Sequence, residues 1–287
     1  MPRFFTKTEI QRLCQQYGFN PSKQYGQNYL LNLEPIERMV ESAEIKKTDT
    51  IVEVGPGFGV LTFALAEVAR EVISFEIEKK LEKYWEEEKK NFPNIKLEWG
   101  NVLYRFKERQ KDFKKYKVVA NLPYQITSPI LKLFLEDVEH QPEAMVLLVQ
   151  KEVAERICAR PGEMSVLAVT VQFFGQPEIV GFVPRHLFWP EPKVDSAILR
   201  INKVAKNNFA PPMDFSVSDF FKFVRAGFLN RRKLLHKNIS ALFGKNDKNK
   251  VEIIWKQLNL DKNCRAQELS VSDWLNIYHA WQDLKRE

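Results

Sequence analysis

Asn121-Leu122-Pro123-Tyr124 closes an apolar run, Val118-Val119-Ala120, and its residue types suit one task, the holding of an amino group on an aromatic ring. Pro123 fixes its own φ and drives Leu122 into an extended conformation, so that the Leu122 carbonyl points in a set direction. The Asn121 side-chain oxygen is a second acceptor beside it. Two converging acceptors fit a group with two N–H donors, such as the exocyclic amine of adenine, and draw its lone pair out of conjugation with the ring. Tyr124 offers a flat face for the base, worth ~1–3 kcal/mol if it behaves like other base–aromatic stacks. Read alone, the tetrapeptide is better explained as an ordinary strand exit with turn residues and a core aromatic.

Its company changes that reading. Residues 50–54 form a β-branched run carrying the acidic Glu53, the turn Gly55-Pro56-Gly57-Phe58-Gly59 follows, and residues 60–68 have the helical apolar spacing Leu61, Ala64, Leu65, Val68. Strand, glycine turn and helix in that order let backbone approach a ligand closely. A second strand, 72–75, ends at Glu76, about 20 residues beyond the first glycine, where an acidic residue commonly binds ribose hydroxyls. The dinucleotide fingerprint needs G-x-G-x-x-G, and Gly59 arrives one residue early for it. A nucleoside cofactor without a pyrophosphate is the better fit.

The chain resembles the ribosomal RNA adenine N6,N6-dimethyltransferase family of the bacterial small-subunit type. The matching blocks run in family order over residues 24 to 275: Gln27-Asn28-Tyr29-Leu30, Val52-Glu53-Val54-Gly55-Pro56-Gly57, Phe75-Glu76, Gly100-Asn101-Val102-Leu103, and Asn121-Leu122-Pro123-Tyr124 with Ser128-Pro129. Then come Val149 to Ala154, Phe188-Trp189-Pro190-Glu191-Pro192-Lys193-Val194-Asp195-Ser196-Ala197, Arg225-Ala226-Gly227-Phe228 with Arg231-Arg232-Lys233, and Arg265 to Ser270. Each block is weak alone; their joint order is specific.

The resemblance implies a class I S-adenosylmethionine-dependent methyltransferase, an α/β Rossmann-like sheet with a small C-terminal α-helical domain. It implies S-adenosylmethionine as cofactor, with Asn28 and Leu30 closing over it, Gly55 and Gly57 meeting its methionine and ribose part, Glu76 holding the ribose and Asn101 at the adenine. Asn121 would lie between cofactor and substrate, and Tyr124 and Phe188 would sandwich the target base, which must leave its stack to arrive there. The implied substrate is a pair of adjacent adenosines near the 3′ end of small-subunit rRNA in an immature ribosomal subunit. Two positions depart from the family pattern. Asn101 stands where Asp is usual, which predicts weaker cofactor binding, and the segment Ala159 to Ser165 is short and lacks the tyrosine and basic residue common there.

The 287 residues carry 44 Lys and Arg against 37 Asp and Glu, a formal charge of +7, so placement matters more than size. Between Lys222 and Lys250 nine Lys or Arg face the single acid Asp247, interleaved with Phe221, Phe223, Phe228 and Phe243. This predicts a phosphate-contacting surface, with Arg225, Arg231, Arg232 and Lys233 as its core, against the plainer alternative of a solvated basic face. The mixed-charge segment 105–117 is read as a solvated connection. Cys14, Cys158 and Cys264 are isolated, and the four histidines are scattered, so neither disulfides nor a metal site are expected, and buried free thiols are. No apolar run approaches a membrane span and the N-terminus has no signal-peptide core, which predicts a cytoplasmic protein. Nothing demands more than a monomer.

Apolar β-rich runs at 51–54, 72–75, 94–98, 117–121 and 143–149 alternate with helical stretches at 60–69, 78–90, 127–136 and 151–158, which predicts a largely parallel sheet. Residues 1 to about 48 read as helical with a loop at 18–26 and a capping box at Thr6 and Glu9. Residues 165–174 suggest a strand by their β-branched run, whereas the resemblance implies helix. Residues 178–183 and 196–202 form a predicted edge hairpin joined by a Pro-stiffened loop carrying Phe188. A linker through Asn207, Asn208, Pro211 and Pro212 divides a methyltransferase domain, 1–205, from a helical RNA-binding domain, 206–287, with Ser218 as candidate cap. Three rivals remain open: a large-subunit adenine methyltransferase of the antibiotic-resistance type, a non-catalytic assembly factor, and a nicotinamide dehydrogenase, the last disfavoured by the glycine spacing.

Overall fold

A computed structural model describes residues 5–21, 26–202, 204, 215–242 and 248–286. The predicted linker residues Asn207, Asn208, Pro211 and Pro212, together with Phe243 and Asp247 of the basic segment, lie outside them. The chain divides into two compact units, one of residues 1–154 with 175–206, the other of 155–174 with 207–287. Segment 155–174, expected in the first domain, groups with the second.

The first unit begins with α1 (Lys7–Gln16), where Thr6 and Glu9 form the predicted reciprocal capping box. A two-residue strand, β1 (Tyr29–Leu30), precedes α2 (Glu34–Ser42). Then follow β2 (Thr50–Val54), α3 (Val60–Val68), β3 (Glu71–Glu76), α4 (Glu82–Glu88), β4 (Ile95–Trp99), α5 (Val102–Arg109), β5 (Lys117–Asn121), α6 (Thr127–Lys132), β6 (Met145–Gln150) and α7 (Lys151–Ile157), whose residues from 155 onward fall in the second unit. After α8 (Val166–Phe174), which belongs to the second unit, come β7 (Gln176–Val183), β8 (Phe188–Trp189) and β9 (Ser196–Asn202).

Seven strands form one sheet in the order β4-β3-β2-β5-β6-β9-β7. The first five are parallel, while β9 runs antiparallel between β6 and the edge strand β7, giving the predicted hairpin. Every residue of β2 is buried, as expected for a central strand covered on both faces, and each fully buried Val or Ile contributes roughly 1.5–3 kcal/mol. Helix α3 is apolar nearly all round and correspondingly enclosed. Strand order reverses between β2 and β5, the topological switch point. There pairing is confined to Ile51–Lys117 and Val52–Val118, leaving the carboxyl ends of both strands unpaired with each other. A crevice opens where they part.

Three elements of this unit, α5, β1 and β8, were not legible. The segment 105–117 is no mere connection: α5 occupies its start, and its charges are paired, Arg105 with Glu108, Lys107 with Asp137, and Arg109 with Glu98 and Asp112. The two-residue strands β1 and β8 pair antiparallel as a separate small sheet, Tyr29 against Trp189 and Leu30 against Phe188.

In the second unit α8 is a helix, so the β-branched run of 166–171 is overridden by burial of Ala168, Val169, Val171, Phe173 and Phe174. Helices α9 (Val217–Gly227), α10 (Leu235–Ile239), α11 (Lys248–Gln257) and α12 (Val271–Arg286) complete it. Ser216, not Ser218, caps α9, accepting from the Asp219 amide at 3.2 Å. The short segment 159–165 is tied down, because the Gly162 and Met164 amides both donate to the Gln267 carbonyl at 2.9 and 3.0 Å. Gly227 packs on the ring of Trp274, which is fully buried and stacked on Phe228. A Cβ there would stand 2.3 Å from Trp274 Cη2. Gly227→Ala is therefore expected to destabilise this unit by about 1–3 kcal/mol in urea unfolding, since that indole has no room to yield.

Cys14 and Cys264 are buried, and burial pushes each thiol up to about 11, whereas Cys158 is only half-buried, contrary to its expected enclosure. No helix among the described residues is long and apolar enough to cross a membrane.

Candidate active site

The crevice at the switch point is a cavity walled by the carboxyl ends of β2, β3 and β5, the start of α5 and the strand β1. Its floor is the glycine turn. Gly55, at φ +72°, has nothing within 4 Å of where a Cβ would stand, so its bare backbone faces open space. Gly57, at φ +54°, is crossed by the Tyr29 ring, which a Cβ would meet at 2.9 Å. The carbonyls of this turn are held by α4: Trp85 Nε1 donates to the Gly57 oxygen at 2.9 Å and the Tyr84 hydroxyl to the Phe58 oxygen at 2.7 Å. Satisfying these buried acceptors fixes the turn.

Glu76 ends β3 inside the cavity and is 3% exposed. Its oxygens accept from the Gly57 amide at 3.1 Å and the Glu78 amide at 2.8 Å. Burial raises its pKa, and those backbone donors oppose the rise. The turn and the candidate ribose ligand are thus one hydrogen-bonded unit.

Asn101 stands at the N-terminus of α5, where its Oδ1 accepts from the Leu103 amide at 3.0 Å. The oxygen expected to receive the cofactor's amino group is therefore already the helix cap, with one lone pair left, and the other end of the amide is a donor. Asn101→Asp keeps a cap and frees a whole carboxylate oxygen toward the cavity. It is expected to tighten S-adenosylmethionine binding by about tenfold in titration calorimetry.

Asn121 is the last residue of β5, opposite Leu148, and its Nδ2 donates to the Asn28 carbonyl at 3.4 Å. That bond sets which end of the amide is committed and leaves Oδ1 as the available acceptor. Asn28 in turn donates from Nδ2 to the Gly26 carbonyl at 3.2 Å. Asn28, Leu30, Gly55, Gly57, Glu76, Asn101, Asn121, Leu122 and Tyr124 all line the cavity. The Tyr124 hydroxyl shares a 2.7 Å hydrogen bond with Ser196 Oγ on β9, and burial raises the phenol's pKa. The ring is thereby pinned at the cavity edge.

Phe188 is placed differently from its expected role. It is 3% exposed, paired with Leu30 across the small sheet and packed in the core, and it does not line the cavity. Its ring is enclosed, so of the two residues expected to stack on the base only Tyr124 lines the cavity. The sequence alone assigns no role to Tyr29, whose buried hydroxyl has no hydrogen-bond partner, to Ser196 or to Glu53. The signal for Glu53 was present, an acid inside an otherwise apolar strand.

Arg225, Arg231, Arg232 and Lys233 are in the second unit and all exposed, on α9 and the turn after it. Buried Asn238 holds that turn, donating to the Gly227 carbonyl at 2.7 Å and the Asn230 carbonyl at 3.2 Å. Among the described residues no group of His, Cys, Asp and Glu is placed to hold a metal ion.

With this geometry in place, comparison with known proteins decides the family. The profile described as ribosomal RNA adenine dimethylase matches residues 18–283. The chain belongs to that family. Its members' chemistry is methyl transfer to rRNA adenine with S-adenosylmethionine as donor, and this chain is such a dimethylase. A protein named ribosomal RNA small subunit methyltransferase A from Dehalococcoides mccartyi is 38% identical over 93% of this chain and 90% of its own length. One of the same name from Streptococcus mutans is 36% identical over 97% of each. Among solved structures, a dimethyladenosine transferase from Plasmodium falciparum superposes with TM-score 0.72 at 25% identity, covering 88% of this chain and 97% of its own. The 23S rRNA methyltransferase ErmE superposes at 0.69 with 27% identity, over 88% and 99%. The dimethylase fits its cofactor on the structure's own terms: a bare glycine facing the cavity, a carboxylate fixed in its wall by backbone amides, and no cation lining the cavity among the described residues.

Proposed function

We propose that this dimethylase transfers methyl groups to N6 of two adjacent adenosines near the 3′ end of small-subunit rRNA, within an immature ribosomal subunit, acting as a monomer in the cytoplasm. The observation that carries the chemistry is the placement of Asn121 at the end of β5, its amide nitrogen spent on Asn28 and its oxygen left as acceptor beside Leu122.

Bound in the cavity, S-adenosylmethionine supplies an electrophilic methyl group on a positively charged sulfur. The chain's own work is positioning. Glu76, anchored by Gly57 and Glu78, receives ribose hydroxyls, and the open backbone at Gly55 admits the methionine part. Asn121 Oδ1 and the Leu122 carbonyl accept the two N6 hydrogens, which turns the nitrogen lone pair out of the ring. Tyr124, braced by Ser196, supports the base from one face. Holding nitrogen in line with the methyl converts a bimolecular encounter into a local one. The base reaches this cavity only when out of its stack, which favours loops and single strands.

The small-subunit target is supported by the names of relatives at 36–38% identity over nearly the whole chain. It is tested by offering unmodified small and large ribosomal subunits with labelled S-adenosylmethionine. Incorporation confined to small subunits is expected. Equal or preferential labelling of large subunits would refute the assignment.

A further inference from the structure

The cavity's charge is one-sided. Among the described residues lining it, Glu53 and Glu76 are its carboxylates, and no Lys, Arg or His joins them. The two differ in support. Glu76 has a backbone amide on each oxygen, the arrangement that holds an ionised carboxylate. Glu53 is 1% exposed and receives one donor, the Ser74 hydroxyl on β3, at 2.6 Å on Oε2. Its Oε1 has no hydrogen-bond partner, and the Thr62 hydroxyl of α3 stands beside the carboxyl without reaching bonding geometry. The remaining titratable groups around the cavity are the phenols of Tyr29 on β1 and Tyr124, both pushed up by burial and so neutral. The groups that β5 contributes, Asn121 and its neighbours, are uncharged.

A buried carboxyl with one donor, an orphaned oxygen and a second carboxylate in the same cavity is better neutral in the absence of a cation and better ionised in its presence. We propose that Glu53 distinguishes fresh from spent cofactor: it ionises when the sulfonium-bearing donor enters and takes a proton back when transfer leaves a neutral thioether. Burial, reinforced by Glu76 and opposed by the Ser74 hydrogen bond, pushes Glu53 up to about 7. In the transfer the N6 lone pair forms the new N–C bond, the S–C bond breaks with its pair left on sulfur, and the N6 proton goes to water. The proton that returns to Glu53 also comes from solvent. This inference rests on the reading of the cavity as the S-adenosylmethionine site.

The test is calorimetry of the full chain with S-adenosylmethionine and S-adenosylhomocysteine, each in two buffers of different ionisation enthalpy. At about pH 7, binding of the sulfonium ligand is expected to release about half a proton more than binding of the thioether. The affinity ratio in favour of the sulfonium should rise about five- to tenfold from about pH 6 to about pH 8. The ligands' own amines titrate nearby, so the transition is assigned by variants. Ser74→Ala removes the one donor to the carboxylate and should move the midpoint to higher pH, and Glu53→Gln should flatten the ratio. If Glu53→Gln does not fold, Ser74→Ala and the wild-type ratio still decide. Both ligands bound with a pH-independent ratio, or a midpoint unmoved by Ser74→Ala, overturns the role of Glu53 alone. Failure of both ligands to bind overturns the reading of the cavity and the inference with it.

Discussion

Asn121→Ala is expected to lower methyl transfer about 10²–10³-fold while weakening S-adenosylmethionine binding much less. The Asn121 oxygen is one of two acceptors that hold the amine, and alanine supplies none. The same side chain ties β5 to the N-terminal segment through Asn28, and a 3.4 Å hydrogen bond between partly buried groups contributes only about 1 kcal/mol, so the cofactor loses little. Single-turnover transfer and a separate cofactor titration resolve the two effects. Loss of transfer in step with loss of cofactor affinity would place Asn121 in cofactor binding alone, and normal turnover would remove it from the mechanism.

The second large effect concerns the RNA. Replacing Arg231, Arg232 and Lys233 together by Ala is expected to weaken binding of small-subunit RNA roughly 10- to 100-fold and to reduce the slope of log affinity against log salt by about 2–3, the share of three phosphate contacts. All three side chains are exposed on a turn fixed from beneath by buried Asn238. Truncating them therefore changes charge without disturbing packing. Cofactor binding belongs to the other unit and should not change. An unaltered salt slope would put the phosphate contacts elsewhere.

Much of the scaffold was readable because it obeys local rules. The buried strand β2 announces itself by its β-branched run, and the glycines of the following turn by the positive φ that Gly55, Gly57 and Gly59 adopt. Asn121 and Glu76 were legible because polar residues at the carboxyl ends of parallel strands face the crevice. What escaped depends on long-range contacts. The segment 166–174 has strand-like residue types, but burial on the helical domain makes it α8. The β1–β8 pairing joins residues far apart in sequence, too short for any periodicity, and it is what encloses Phe188. The single donor to Glu53 comes from Ser74 on a neighbouring strand, a register relation that Glu53 opposite Ser74 makes plain only in the folded sheet. The Asn101 departure was visible, but that its oxygen is already used to cap α5 was not.

In the proposed mechanism an acceptor pair at the end of β5 presents adenosine N6 to the methyl donor. The most direct measurement is digestion to nucleosides of small-subunit RNA methylated by this protein with labelled S-adenosylmethionine, followed by chromatography and mass analysis. The label is expected to accumulate as N6,N6-dimethyladenosine, from two neighbouring positions near the 3′ end. Label on a ring nitrogen or carbon of adenine, on another base or on ribose would contradict it.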